Sequence, residues 1–169
     1  PPTSARPKQL SVTQIKTLIR DPYAIYARHV LGLRPLDPLM RLPDALLRGI
    51  VVHEALEDFI RTTKHDLKGV TSEAFMASIA SKLDEAVPWA EARLMWEARL
   101  TRQADVFVEG ETSRRVLAEP SLLEARGQSE LPDLGFTLTA EADRIDVDAN
   151  GQFHIYDYKT GNPPNQEVQ

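Results

Sequence analysis

Ala140-Glu-Ala-Asp143-Arg-Ile-Asp146-Val-Asp148-Ala-Asn150-Gly-Gln-Phe-His-Ile-Tyr-Asp157-Tyr-Lys159-Thr-Gly161 decides the fold of this chain, because it writes two acidic strands around a turn. Asn150-Gly151 is a strong hairpin signal, and the flanking runs, Leu138 to Asp146 and Gln152 to Thr160, have strand composition. Two registers are open. A two-residue turn at Asn150-Gly151 pairs Arg144 with Asp157 and sends Asp143 and Asp157 to opposite faces, since side chains alternate with period two. A three-residue loop, Ala149-Asn150-Gly151, with Gly151 left-handed, pairs Asp148 with Gln152, Asp143 with Asp157 and Glu141 with Lys159. We expect the second.

In that register the carboxylates of Asp143 and Asp157 stand side by side, where like charges directly opposite each other destabilise a sheet. A bound divalent cation removes the repulsion. Lys159, two residues beyond Asp157, shares its face and brings an ammonium to the same water or phosphate. Solvated charges on a hairpin are the commoner meaning of Asp-x-Lys. Phe153, Ile155, Tyr156 and Tyr158 argue otherwise, because they mark a strand apolar on both faces, and a carboxylate in a half-buried strand needs a partner. Asp146, opposite His154 and facing away from Asp143, is assigned to structure.

Upstream, Pro43 to about Thr62 reads as a helix carrying Leu46, Ile50, Leu56, Phe59 and Ile60. Gly49, His53 and Glu57 fall four apart on one stripe, which would aim an imidazole at the strand carboxylates with Gly49 allowing close approach. A lone His there is more often a packing residue, and Glu57 is left outside the ligand set. Earlier still, residues 1–10 read as a flexible, Pro-rich lead, with structure beginning at Ser11. Ser11 and Gln14 form a capping box, and Asp21-Pro22 opens a second helix whose Tyr23, Tyr26 and Val30 are expected in the core. Thr71 to Leu117 is helical around a break at Pro88. Its Arg93, Arg99, Arg102, Arg114 and Arg115 interleave with acids as on a solvated face. A strand at Leu122 to Glu130 and a turn at Pro132 to Gly135 follow, so helices are expected first and three strands after them, an α/β fold with a mixed sheet flanked by helices.

Taken in order, Ser11 to Ile15, Asp21-Pro-Tyr23, Val30-Leu-Gly-Leu33, Gly49-x-x-x-His53, Asp143-Arg-Ile-Asp146 and Asp157-Tyr-Lys-Thr160 make the chain resemble the RecB-like nuclease domains of the PD-(D/E)xK superfamily, with its restriction-endonuclease-like core. The likeness is greatest to the AddB subunits of bacterial AddAB-type helicase-nucleases. It implies metal ligands at His53, Asp143, Asp157 and the backbone carbonyl of Tyr158. It also implies catalytic roles for Asp143, Asp157 and Lys159. The activity implied is a Mg²⁺- or Mn²⁺-dependent deoxyribonuclease, an exonuclease of double-strand break repair and recombination, with DNA and an AddA-like helicase-nuclease subunit as partners and the cytoplasm as location. Family members continue with a helix and a further strand, so residues 11–169 are expected to be an incomplete nuclease domain, truncated at the carboxyl end, with an uncovered sheet edge that favours self-association.

Some members hold an iron-sulfur cluster through an early Cys. Asp21 stands at that position, and the chain has no cysteine, so no cluster is expected. The 169 residues, 42% hydrophobic, suffice for one core, and no run approaches the ~20 apolar residues of a membrane span. A net charge of -5 sets this chain apart from proteins that hold DNA by bulk electrostatics. Two competing functions are therefore kept open: a noncatalytic DNA-binding or scaffold module of a helicase-nuclease complex, and a hydrolase of some other phosphoester.

Overall fold

Ser11 starts the first helix by accepting from the Gln14 amide while the Gln14 side chain accepts from the Ser11 amide, the reciprocal capping box expected there. In the computed structural model, which describes residues 2–36, 40 and 42–161, the elements follow as β1 (Gln9–Ser11), α1 (Val12–Arg20), α2 (Pro22–His29), α3 (Ala45–Thr62), α4 (Ser72–Ala86), α5 (Ala90–Leu117), β2 (Ala118–Leu131), β3 (Phe136–Asp148) and β4 (Phe153–Tyr156). The sheet is mixed. β3 pairs in parallel with β1 through Thr137 to Thr139 and antiparallel with β4 through Arg144 to Val147, and β2 is its third neighbour.

The chain divides into two units. The first joins the described residues up to 41 with residues 126–142. It holds β1, α1, α2 and the middle of the β2–β3 excursion. Structure here begins earlier than expected: residues 1–10 are not wholly a lead, because Gln9 and Leu10 pair with Thr137 and Leu138 and Leu10 is only 2% exposed. A three-residue parallel strand takes its partner from far along the chain, so local periodicity does not reveal it. The tyrosines of α2 also depart from expectation, since Tyr23 is exposed and Ile25 is the buried residue of that helix.

The second unit, residues 42–125 with 143–169, carries the core. Val51, Val52, Ala55, Leu56, Phe59 and Ile60 of α3 pack with Phe75, Ile79 and Leu83 of α4 and with Trp96 and Ala104 of α5. Spacings of three and four set these side chains on one stripe of each helix. Phe59, Phe75 and Phe107 form an aromatic knot, with the Phe75 and Phe107 rings stacked at 4.6 Å. Pro88 separates α4 from α5 as read, and α5 runs 28 residues, or about 42 Å at 1.5 Å per residue. Its interleaved charges do not all lie on the solvated face expected of them: Glu111 and Arg115 are buried.

The hairpin has the three-residue loop. Val147 pairs with Phe153, Asp146 with His154 and Arg144 with Tyr156, while the Asp148 amide donates to the Gln152 carbonyl at 3.0 Å. Gly151 takes φ 78, which a side chain would resist. Asp148 Oδ1 accepts from the amides of Asn150 and Gln152, and those bonds, the Gln152 one foremost, hold its carboxyl below the usual carboxylate range. The ladder ends at Tyr156, however. Asp143 and Asp157 are not a strand pair, nor are Glu141 and Lys159, and Phe153, Ile155 and Asp157 share an exposed face rather than a half-buried strand. Expectations about the chain beyond Gly161 lie outside the described residues.

Candidate metal centre

Tyr158 sits where the ladder stops and the site begins. Continued regularly, the antiparallel pattern would send the Tyr158 amide to the carbonyl of Ala142. It donates instead to Asp143 Oδ2 at 2.5 Å. The Tyr158 carbonyl meets His53 Nε2 at 3.0 Å. A carbonyl can only accept, so Nε2 carries a proton, and in the neutral ring Nδ1 is left with the lone pair. Nδ1 faces Asp143 Oδ1 at 3.6 Å. Two acceptors opposed at this distance repel unless a proton or a cation stands between them.

A third candidate ligand comes from an unexpected element. Glu124 of β2 lies with His53 and Asp143 in a group whose ligand atoms are all within 4.8 Å of one another. Glu124 is the one non-glycine with positive φ among the described residues, 46°. A left-handed residue interrupts the strand's alternation and re-aims its side chain, and such strain concentrates at functional positions. Neither Leu122-Leu123-Glu124-Ala125 nor its periodicity marks the residue, and only the fold brings it to α3.

The donor set fits a divalent cation. Metal-oxygen bonds of 2.0–2.1 Å put ligands roughly 3 Å apart when adjacent and roughly 4 Å apart when opposite, so the group needs only slight closure. One nitrogen among oxygens suits Mn²⁺ as well as Mg²⁺. A metal-binding His characteristically donates its other N–H to a carbonyl or carboxylate, as His53 does to Tyr158. The Tyr158 carbonyl keeps a second lone pair beyond that bond.

The structure thus brings His53, Asp143 and the Tyr158 main chain together. Asp157 is not among them: its carboxylate stands outside the group, is exposed, and pairs with Lys159. The stripe Gly49, His53 and Glu57 lines one groove of about 580 Å³ with Glu124 and Thr160. Close approach does not select glycine at position 49, since a Cβ there would meet Thr160 Oγ1 at an ordinary 3.7 Å. Glu57 is occupied by an ion pair with Arg61.

Beside the group, a cleft of about 410 Å³ opens between α3, α5 and residues 158–161. Arg48, Arg99 and Lys159 border it, Trp96, Leu100 and Phe107 supply apolar walls, and among the described residues no carboxylate lines it. Arg144 and Asp146 are fully buried and form a bidentate pair at 2.5 and 2.6 Å. Among the described helices, none is long and apolar enough to cross a membrane.

The sequence model of the PD-(D/E)XK nuclease superfamily matches residues 9–169. Uncharacterized proteins of Rickettsia conorii and Rickettsia typhi are similar to the chain, 28% and 29% identical over 167 residues, and one from Rickettsia bellii is 28% identical over 163. Each alignment covers 95% of this chain, which spans about a fifth of the length of these relatives, 20%, 19% and 20% respectively.

Proposed function

Because this chain belongs to the PD-(D/E)XK nuclease superfamily, we propose that its second unit hydrolyses phosphodiester bonds of DNA with a Mg²⁺ or Mn²⁺ ion held by His53, Glu124 and Asp143. One observation carries the reading: His53 Nδ1 and Asp143 Oδ1 face each other at 3.6 Å in a group with Glu124 whose ligand atoms lie within 4.8 Å of one another, a spacing that a cation can fill. When bound, such an ion supplies an activated water and neutralises charge developing on the phosphate.

The chain's own residues do the rest. Tyr158 orients both His53 and Asp143 through its main chain, and its carbonyl is available to the ion through the second lone pair. Lys159 holds a proton and a positive charge at the mouth of the site, and Asp157 steers that ammonium. Asp157 joins the ligand set, as the family resemblance implies, once its carboxylate leaves Lys159. The cleft between Arg48, Arg99 and Lys159 receives the strand, giving an acidic chain a local cationic seat for phosphates.

The order of motifs from Ser11 to Thr160 supports the narrower reading, a RecB-like exonuclease domain serving double-strand break repair beside an AddA-like helicase subunit. The test is calorimetric titration of the chain and of Asp143→Asn with Mn²⁺, together with a nicking assay on both. Metal binding and cleavage that are both lost in Asp143→Asn support the nuclease. Oligonucleotide binding without metal binding leaves a noncatalytic DNA-binding module.

A further inference from the structure

Asp143 and Arg144 are neighbours that face opposite ways. Asp143 belongs to the metal-ready group, while Arg144 turns to a wholly buried face and donates from its Nη1 to the Tyr158 hydroxyl at 3.2 Å. We propose that Arg144 and the Tyr158 hydroxyl form a positioning device for the metal centre, holding the Tyr158 main chain against His53 and Asp143. The inference rests on the reading of His53, Glu124 and Asp143 as a metal site and adds two residues that touch no ligand atom of it through their side chains.

Tyr158 needs such a device. It lies two residues beyond the last ladder pair, so no strand hydrogen bonds fix its backbone, yet its amide and carbonyl make the two contacts that orient Asp143 and His53. Its side chain supplies the anchor. The ring lies edge-on to Phe107 and to His53, each at 6.4 Å, and the hydroxyl is held by a guanidinium that cannot swing. Arg144 is pinned by Asp146 at 2.5 and 2.6 Å and by Glu111 at 2.6 Å.

The restraint closes on itself. Glu111 accepts from Arg115 Nε at 2.6 Å, and Arg115 donates to the carbonyl and hydroxyl of Thr63 at 2.5 and 2.9 Å. Thr63 caps the end of α3, the helix that carries His53. A ring of contacts therefore leaves α3 at Thr63, crosses α5 and β3, and returns to α3 at His53 through Tyr158. Cutting the ring at the phenol leaves each charged pair intact and frees only the segment that orients the ligands.

Tyr158→Phe makes that cut. Mn²⁺ titration by calorimetry is expected to show a dissociation constant raised about tenfold, as for other partners that orient metal ligands, with the melting temperature of the metal-free chain nearly unchanged. Tyr156→Phe, at the last residue of β4, should bind as the unaltered chain does. Equal Mn²⁺ affinity in Tyr158→Phe overturns the positioning role, whereas no Mn²⁺ binding by the unaltered chain overturns the metal site itself. A second measurement needs no variant: Mg²⁺ added to the unaltered chain should shift the Tyr158 ring and Arg144 Nε–H resonances, and resonances blind to bound Mg²⁺ overturn the coupling.

Discussion

Glu111 Oε2 and Arg144 Nη1 meet at 2.6 Å with neither side chain exposed to solvent. Arg115 and Arg114 also reach Glu111, so one carboxylate serves three guanidinium groups. Burial alone would raise the Glu111 carboxyl, but the hydrogen bonds and charges of Arg144 and Arg115 take it below its ordinary value of 4.5. Among the described residues every buried side-chain nitrogen and oxygen has a partner. A fully satisfied network of this kind specifies one packing and is costly to break at a single member.

Glu111→Ala should therefore destabilise the chain by about 3–5 kcal/mol, because it takes the carboxylate partner from the buried Arg115 and one of two from the buried Arg144. Urea unfolding measures it. A loss below ~1 kcal/mol, the range of a surface ion pair, would mean that water reaches Arg144 and Arg115 in solution.

Acid should erode the same contribution. A carboxyl whose folded-state pKa is lowered stabilises the fold above its unfolded-state value and loses that stabilisation as pH falls through the folded value. For Glu111 the stabilising term is complete above about pH 5 and fades on acidification below 4.5. The stability difference between the unaltered chain and Glu111→Gln is thus expected to narrow from pH 6 to pH 3. A constant difference would show that Glu111 titrates alike in both states.

The hairpin register was legible because Asn150-Gly151 and the alternation around it are local, and Gly151 takes the left-handed conformation the longer loop requires. The capping box at Ser11 and the helix limits near Pro88 were legible for the same reason. Glu124 was not: its membership depends on one left-handed residue inside β2 and on α3 packing nearby, neither of which leaves a periodic trace. Local pattern also misjudged α5. Interleaved charges look solvated in sequence, yet Glu111 and Arg115 find partners on α3 and β3 that no window of one helix contains. The end of β4 likewise followed from tertiary competition, the Asp143 carboxylate taking the Tyr158 amide from the ladder.

Glu124→Gln provides the sharpest check on the ligand set. It keeps the size of the side chain, removes its charge, and should weaken Mn²⁺ binding at least tenfold, as His53→Ala should. Glu57→Gln, in the same groove but paired with Arg61, should leave the affinity within about twofold. Calorimetry on the three variants decides. Unchanged affinity in Glu124→Gln would remove it from the site.

Arg48 and Arg99 flank the cleft, and the guanidinium of neither makes a hydrogen bond or ion pair among the described residues. Free guanidinium groups beside an uncharged wall suit phosphates. Arg99→Ala is expected to weaken binding of a short oligonucleotide and to reduce the salt dependence of log Kd by about one unit of slope, without altering Mn²⁺ affinity. Fluorescence anisotropy across a salt series measures both; an unchanged slope would move the DNA path off this cleft.

Lys159 and Asp157 are separable because one variant should move their two roles in opposite directions. Lys159→Met removes the ammonium that holds the Asp157 carboxylate, leaving that carboxylate able to turn toward His53 and Asp143. Mn²⁺ affinity should then stay the same or rise, while cleavage falls by about 10²–10⁴, the range of a lost proton-handling group. Asp157→Asn gives the complement, with the ammonium kept and a ligand removed, so both affinity and cleavage should fall. If Lys159→Met cleaves normally, the lysine serves only to hold Asp157, and the proton is handled by water at the mouth of the site.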